Sequence, residues 1–273
     1  MFRAPGVTFA IRCSEPGLTL RFEECLHGLR ETSPAATVDV TYECRDRGPA
    51  YAPSRWLLYR DGVLLVDVPT PGRVLDELLV DLDDLVMERV QGSSLAVHAA
   101  AVELQGRVVL LPAASGSGKT TLAAAAVVAG ARYVTDEAAV IDQETFAVTP
   151  YARPLCIKSG SQSLIQELVR GGTGPVGDAP SWHVAPDLLG AVSSGGRLRA
   201  VVVPQYQDGA ATSLTEITRA EAMLAVAGQS SFLARRGPEV LSQLRALVSQ
   251  GPCARLVFSD VRDAADRLLN VLR

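Results

Sequence analysis

The strongest candidates for a chemical role in this chain, by residue type and spacing, lie between Ala113 and Thr121. The segment reads Ala-Ala-Ser-Gly-Ser-Gly-Lys-Thr-Thr, follows the apolar run 108–111 and precedes the alanine-rich run 122–129. A strand, a glycine-containing turn and a helix N-terminus in this order make an anion nest, because their backbone N–H groups converge. The order therefore predicts a P-loop that binds nucleotide phosphates, although Ala113 stands where the usual pattern has glycine.

Several positions of this loop have a predicted role. Gly116 and Gly118 can take backbone angles that are closed to other residues. Lys119 would reach the β- and γ-phosphates, and Thr120 would offer its hydroxyl to Mg²⁺. The alternative is a glycine-serine turn before a helix with an exposed lysine, which the flanking strand and helix patterns disfavour. The predicted nucleotide-binding residues are Ala114, Ser115, Gly116, Ser117, Gly118, Lys119, Thr120, Thr121 and Arg153.

A second group of candidates follows from what phosphoryl transfer needs besides a phosphate cradle, namely a second Mg²⁺ ligand and an acceptor for the hydroxyl proton. Asp136 follows a short strand beyond the loop helix, so we expect its carboxylate near the phosphates. Asp136 or Glu137 would also assist Thr120 in binding Mg²⁺. The alternative for Asp136 is a turn or helix-cap aspartate. His98 lies in the strand expected to pair with the strand before the loop, and it is either a γ-phosphate or acid–base contact or a structural histidine.

Two cations further along the chain are candidates for phosphate or substrate binding. Arg153 lies in an extended connector, and Lys158 lies at the start of a predicted helix. Solvated surface charge is an equally good interpretation of both. The acidic run at Asp81, Asp83 and Asp84 is expected on a solvated helix face rather than at a metal.

The elements that must position these residues have the pattern of an α/β protein. The turn Gln105-Gly106 makes the strand before the loop the second arm of a hairpin. Helical periodicity is found at 73–91, 219–227, 239–248 and 261–272, and residues 171–197 indicate a long loop. Two regions are predicted: a β-rich N-terminal region with a connecting helix over 1–91, and a P-loop kinase domain over 92–273.

Composition excludes several classes of function. The chain has 273 residues, a net charge of −4 and a pI near 5.5, which argues against a general nucleic-acid binder. No apolar run approaches the roughly 20 residues of a membrane span. Its five scattered cysteines fit reduced thiols better than a disulfide framework. We therefore expect a cytoplasmic protein with no nucleic-acid or membrane partner.

The order of these motifs resembles the catalytic domain of HPr kinase/phosphorylase and its smaller HprK-like relatives. The resemblance covers about residues 92–160 and is carried by His98-Ala-Ala-Ala-Val-Glu, the loop, and Gly130-Ala-Arg-Tyr-Val-Thr-Asp136-Glu137, with Arg153-Pro154-Leu155-Cys156-Ile157-Lys158 as the connector. It implies a fold of the HPr kinase and PEP carboxykinase type, with Asp136 as the base that takes a serine proton and His98 at the active site. The family's Asp-Asp pair is Asp136-Glu137 here, and its later Mg²⁺-binding glutamate has no clear match in 160–200.

The resemblance also implies a reaction. The short β-rich front is similar to that of HprK-like kinases from lasso-peptide tailoring clusters, which phosphorylate a serine of a precursor peptide. We therefore expect a kinase that uses ATP and Mg²⁺ on a hydroxyl of a peptide or small protein. HPr kinases assemble as hexamers, so a homo-oligomer is compatible with the resemblance. The alternatives are a nucleotide-binding regulator or scaffold without transfer, and a kinase of a small metabolite.

Overall fold

The computed structural model describes residues 1–33, 37–48, 55–90, 92–169, 182–229 and 239–273, and it has a mixed α/β architecture. The helices are α1 (Pro16–Cys25), α2 (Pro71–Arg89), α3 (Lys119–Val128), α4 (Gln162–Leu168), α5 (Arg219–Ala227), α6 (Glu239–Val248) and α7 (Val261–Leu272). The strands are β1 (Phe2–Ala4), β2 (Val7–Cys13), β3 (Val40–Asp46), β4 (Trp56–Arg60), β5 (Val63–Val68), β6 (Ser94–Leu104), β7 (Arg107–Pro112), β8 (Arg132–Thr135), β9 (Ala138–Asp142), β10 (Ala147–Thr149), β11 (Leu155–Ile157), β12 (Trp182–Val184), β13 (Gly196–Tyr206), β14 (Ser213–Glu216) and β15 (Cys253–Phe258).

The chain divides into two compact units. Unit 1 contains Met1–Arg89 and Arg153–Leu188, and unit 2 contains Val90–Ala152 and Leu189–Arg273. The end of the first segment of unit 1 lies close to the predicted boundary at residue 91. Residues 153–188, however, group by their contacts with unit 1 and not with the rest of 92–273.

Unit 1 is built on a five-stranded sheet in the order β1-β2-β3-β4-β5. The strands pair antiparallel except β2 and β3, which are parallel. Helix α2 packs on this sheet through an apolar face that includes the fully buried Val74, Leu78 and Leu82. Strands β4 and β5 form a hairpin whose turn is Asp61-Gly62, with φ angles of 49° and 81°. Strands β11 and β12 form a separate antiparallel pair.

Unit 2 is built on an eight-stranded sheet in the order β10-β9-β6-β7-β13-β15-β14, with β8 also pairing with β6. Strand β10 pairs with both β9 and β13, so the five strands β10, β9, β6, β7 and β13 close into a ring. The predicted hairpin of β6 and β7 is confirmed, with Gln105 and Gly106 at φ angles of 53° and 78°. Strand β7 then runs parallel to β13, and β13 runs parallel to β15.

The two faces of this sheet are covered by different helices. Alternate residues of β6, among them Val97 and Ala99, pack in one core with Val226 of α5 and Leu244 of α6. Helix α3 packs against α7, β6 and β8 and takes no part in that core. Because successive side chains of a strand point to opposite faces, the other β6 residues, including His98, lie on the α3 face.

Most helices predicted in unit 2 are confirmed, and one predicted loop is partly wrong. Helices α5, α6 and α7 occupy the predicted ranges. Asp260 caps α7 by accepting hydrogen bonds from the N–H groups of Arg262 and Asp263. Of the loop expected at 171–197, residues 171–181 lie outside the described residues. The remainder contains β12, a short 3-10 turn and the first residues of β13. Strand β12 has only three residues and forms by pairing with β11, so it has too little local pattern to be predicted. Among the described residues, no helix combines the length and the hydropathy needed to cross a bilayer.

Candidate functional site

The loop between β7 and α3 has the backbone that its glycines were expected to give it. Gly116 and Gly118 take φ angles of 86° and 89°, in the left-handed region that favours glycine. Helix α3 begins at Lys119, directly after Gly118 as its N-cap, and no side chain of the described residues caps this end. The first backbone N–H groups of α3 therefore lie at an N-terminus suited to an anion.

The loop is fixed to the ends of β13 and β15. The N–H of Tyr206 donates to the carbonyl of Ser117 at 3.0 Å. A Cβ added to Gly118 would lie 2.9 Å from Cζ of Phe258 and 3.4 Å from Cβ of Tyr206. The two rings form an edge contact with centroids 6.0 Å apart. Glycine at position 118 therefore has a packing reason as well as a conformational one.

Lys119 is folded back over this loop. Its side chain is buried, with the residue 7% exposed, and its Nζ donates to the carbonyls of Ala113 at 2.5 Å and Ala114 at 3.3 Å. Thr120 and Thr121 in the first turn of α3 are half-buried, and Ala114, Ser115 and Gly116 are exposed. The ammonium group thus lies beside the loop backbone, where a phosphate chain would also be held.

Asp136 lies at the end of β8 and is almost completely buried, with 1% of its surface exposed. The hydroxyl of Tyr133 donates to Asp136 Oδ1 at 2.7 Å. The hydroxyl oxygen of Thr135 accepts from the N–H groups of Glu137 and Ala138, both at 3.3 Å, where the chain passes from β8 into β9. These bonds orient a buried carboxyl group at the end of a strand.

His98 and Glu137 are in direct contact. His98 Nδ1 lies 3.0 Å from Glu137 Oε1, and the two side chains are 35% and 31% exposed. The pair is therefore accessible, unlike Asp136 beside it in the chain. His98 therefore contacts one member of the predicted acidic pair, and its role at the γ-phosphate or in acid–base chemistry stays a prediction.

Strand β6 brings the loop and the acidic pair to one edge of the sheet. Ala99 pairs with Pro112, the last residue of β7, and its N–H donates to the carbonyl of Glu137 at 3.1 Å. Neighbouring strands are about 4.8 Å apart, so the backbones of Pro112 and Glu137 are separated by about 10 Å. His98, the residue before Ala99 in β6, lies past the end of β7. Its N–H donates instead to the carbonyl of Gln229 at 2.9 Å.

A cleft of about 300 Å³ adjoins the loop. Its lining includes Pro112, Ala114, Ser117, Tyr206 and Gln229. It is mainly apolar, but the buried Ser117 Oγ has no hydrogen-bond partner among the described residues. Apolar walls with a few polar groups are typical of small-molecule sites.

Arg153 belongs to unit 1, whereas the other predicted site residues belong to unit 2. It is 3% exposed, and its Nε lies 3.5 Å from Asp83 Oδ1. Asp81 contacts Arg60 at 2.7 Å and accepts the hydroxyl of Tyr42 at 2.6 Å. The expected solvated acidic face is therefore wrong for Asp81 and Asp83, whose carboxylates are paired. The role of Arg153 at a phosphate stays a prediction.

Sequence reasoning did not select Tyr133, which contacts Asp136, or Tyr206, which contacts the loop. Tyr133 could have been found, because a tyrosine in a short strand beside a candidate carboxylate needs a partner for its hydroxyl when it is buried. The backbone bond of Tyr206 had no signal in the sequence, since it depends on the register of β13.

Neither a protein-family model nor a protein with a curated description matches this chain. Its chemistry is therefore inferred from the residues that meet at the ends of β7, β8 and β13.

Proposed function

We propose that this chain is a kinase that transfers the γ-phosphoryl group of ATP, with Mg²⁺, to a hydroxyl group, and that the acceptor is a serine of a peptide or small protein. The observation that carries the proposal is the hydrogen-bonded ladder at Ala99 of β6. It lies between the start of the glycine loop and the buried Asp136 beside Glu137. Phosphoryl transfer needs these two groups close together, and the sequence separates them by more than twenty residues.

The residues of the loop fit a phosphate chain. Glycines at left-handed angles, a helix N-terminus without a capping side chain, and the buried Ser117 Oγ supply donors around one point. Lys119 would add positive charge by exchanging its contacts with the loop carbonyls for phosphate oxygens. The hydroxyl of Thr120 and the carboxylate of Glu137 would hold Mg²⁺, which when bound neutralises charge on the transferring group.

The acceptor is activated by Asp136. The acceptor oxygen forms a bond to the γ-phosphorus while the bond from that phosphorus to the β–γ bridging oxygen breaks, and ADP leaves. The hydroxyl proton passes to the Asp136 carboxylate, whose Oδ1 is held by Tyr133. Contact with His98 orients Glu137. The resemblance to HprK-like peptide kinases supports serine as the acceptor.

The test is mass spectrometry of purified protein incubated with ATP, Mg²⁺ and the small peptides encoded beside its gene. We expect one phosphate on a serine with the native chain and none with Asp136→Asn. Because the Asp136 carboxylate takes the proton and is not part of the loop, Asp136→Asn should still bind ATP in a calorimetric titration. The matched control is Asp266→Asn, an exposed aspartate of α7, which should transfer at the native rate.

Three other outcomes of these experiments would change or overturn the proposal. ATP binding without transfer to any peptide would replace the proposal with a nucleotide-dependent regulator or scaffold. Transfer to a small metabolite alone would keep the chemistry and change the substrate class. Full transfer by Lys119→Ala would overturn the mechanism.

A further inference from the structure

A second cluster of reactive side chains lies in unit 1 and has no part in the proposed kinase chemistry. Cys156 of β11 and His183 of β12 are directly opposite each other in the antiparallel pair. Side chains at such paired positions project from the same face with Cβ atoms about 5 Å apart. Asp76, in the second turn of α2, completes the cluster: one ligand atom from each residue lies within 4.8 Å of the other two.

The environment of His183 is unusual for a histidine that only fills space. Its side chain is 1% exposed, and Nε2 lies 3.0 Å from Asp76 Oδ1. Neither ring nitrogen makes a hydrogen bond of good geometry among the described residues, and the same is true of Asp76 Oδ2. Arg73 Nη1 lies 3.8 Å from that oxygen. Buried polar atoms without partners are costly, and a bound ion is one explanation for them.

The donor set indicates which ion would fit. A thiolate, an imidazole and a carboxylate together suit Zn²⁺, whereas Mg²⁺ and Ca²⁺ prefer oxygen ligands alone. In a tetrahedral zinc site, with bonds of about 2.0 to 2.3 Å, the ligand atoms are about 3.3 to 3.8 Å apart. From separations of at most 4.8 Å, the three ligand atoms therefore need to approach one another by about 1.5 Å at most.

We propose that Asp76, Cys156 and His183 form a zinc site in which water is the fourth ligand. The ion would join α2 to β11 and β12, which are about 80 residues or more away along the chain. Without an ion, the contact of Asp76 with His183 is a buried ion pair, and the experiment must distinguish these two states. The proposal is independent of the kinase activity, because none of the three residues belongs to unit 2.

The first test measures metal directly on the full-length chain. Protein stripped with a chelator and reconstituted with ZnCl₂ should retain about one zinc per chain after gel filtration, by elemental analysis. Titration with CoCl₂ should produce a thiolate-to-cobalt charge-transfer absorption, which added ZnCl₂ removes. Cys156→Ser should abolish that absorption, and Asp76→Asn should weaken cobalt binding about tenfold or more.

The matched controls use the same residue types outside the cluster. Cys13 is half-buried like Cys156, and Asp84 is an exposed residue of the same helix as Asp76. Cys13→Ser and Asp84→Asn should bind cobalt as the native chain does. A charge-transfer absorption that persists in Cys156→Ser would overturn the proposal, as would the absence of any such absorption in the native chain.

A measurement on the native chain alone covers the case in which Cys156→Ser does not fold. Zinc-loaded and stripped protein are treated with a thiol reagent, and the modified peptides are identified by mass spectrometry. Bound zinc should slow the modification of Cys156 at least tenfold and leave Cys13 unchanged. Equal rates at Cys156 in the two samples would also overturn the proposal.

Discussion

Alanine at Gly118 tests whether the loop is held by packing as well as by backbone conformation. Gly118 has φ 89° and ψ 9°, and an added Cβ would lie 2.9 Å from Phe258 Cζ. Gly116 provides a matched control, because its φ is 86° and nothing lies within 4 Å of the added atom. Both alanines carry the strain of the left-handed region, but only Gly118→Ala adds a clash.

The two contributions can be given magnitudes. A left-handed angle costs a non-glycine residue about 1 kcal/mol or slightly more. Forcing an additional carbon into a packed site costs about 1 to 3 kcal/mol. We therefore expect Gly116→Ala to lower the free energy of unfolding by about 1 kcal/mol, and Gly118→Ala to lower it by about 2 to 4 kcal/mol. With a urea dependence of about 2 kcal/mol/M, the two unfolding midpoints should differ by about 0.5 to 1.5 M.

The assay is urea unfolding followed by circular dichroism, with the native chain and both variants measured together. The double variant Gly118→Ala with Phe258→Leu should be less destabilised than the sum of its single variants, because the smaller side chain removes the clash. Equal midpoints for the two alanine variants would refute the packing argument. So would strict additivity in the double variant.

Three further predictions concern the site and one helix end. Lys119→Ala should weaken ATP binding at least tenfold in a calorimetric titration, because the ammonium charge is lost; unchanged affinity would remove Lys119 from the phosphate site. Tyr133→Phe should lower the transfer rate several-fold and the unfolding free energy by about 1 kcal/mol, since Asp136 Oδ1 loses its donor; a native rate in a phosphate-transfer assay would contradict this. Asp260→Ala should cost about 1 kcal/mol in urea unfolding by removing the α7 cap, with no change in ATP affinity.

Local patterns predicted the elements of unit 2 better than their arrangement. Helix α7 has its N-terminal cap and its apolar face encoded within thirteen residues, and the turn at Gln105-Gly106 is equally local. Short-range signals of this kind need no knowledge of the rest of the fold. The pairing of β10 with β13 joins residues about fifty positions apart, and no local pattern specifies it.

The candidate site was predictable to the extent that it follows the β6–β7 hairpin. That hairpin places the strand of His98 beside the strand that leads into the loop. The contact of Asp136 with Tyr133 required the exact end of β8, and the cluster of Asp76, Cys156 and His183 required the register of β11 with β12. Element ends and strand registers are set by tertiary packing, which single-sequence patterns do not resolve.

The small side chains of β6 and α3 explain why the loop lies at the same edge of the sheet as Asp136. Ala99, Ala100 and Ala101 of β6 are completely buried, as are Ala123 and Ala124 of α3. Ala100 lies on the α3 face by the alternation of the strand, so alanine can meet alanine where the helix packs on β6. Side chains this short allow a close approach of the two backbones, and the helix N-terminus then stays near the strand that also hydrogen-bonds Glu137. The alanine-rich run after the loop is therefore part of what positions the candidate site. Larger residues there would move the N-terminus of α3 away from Asp136, and the proposed phosphoryl transfer depends on that distance.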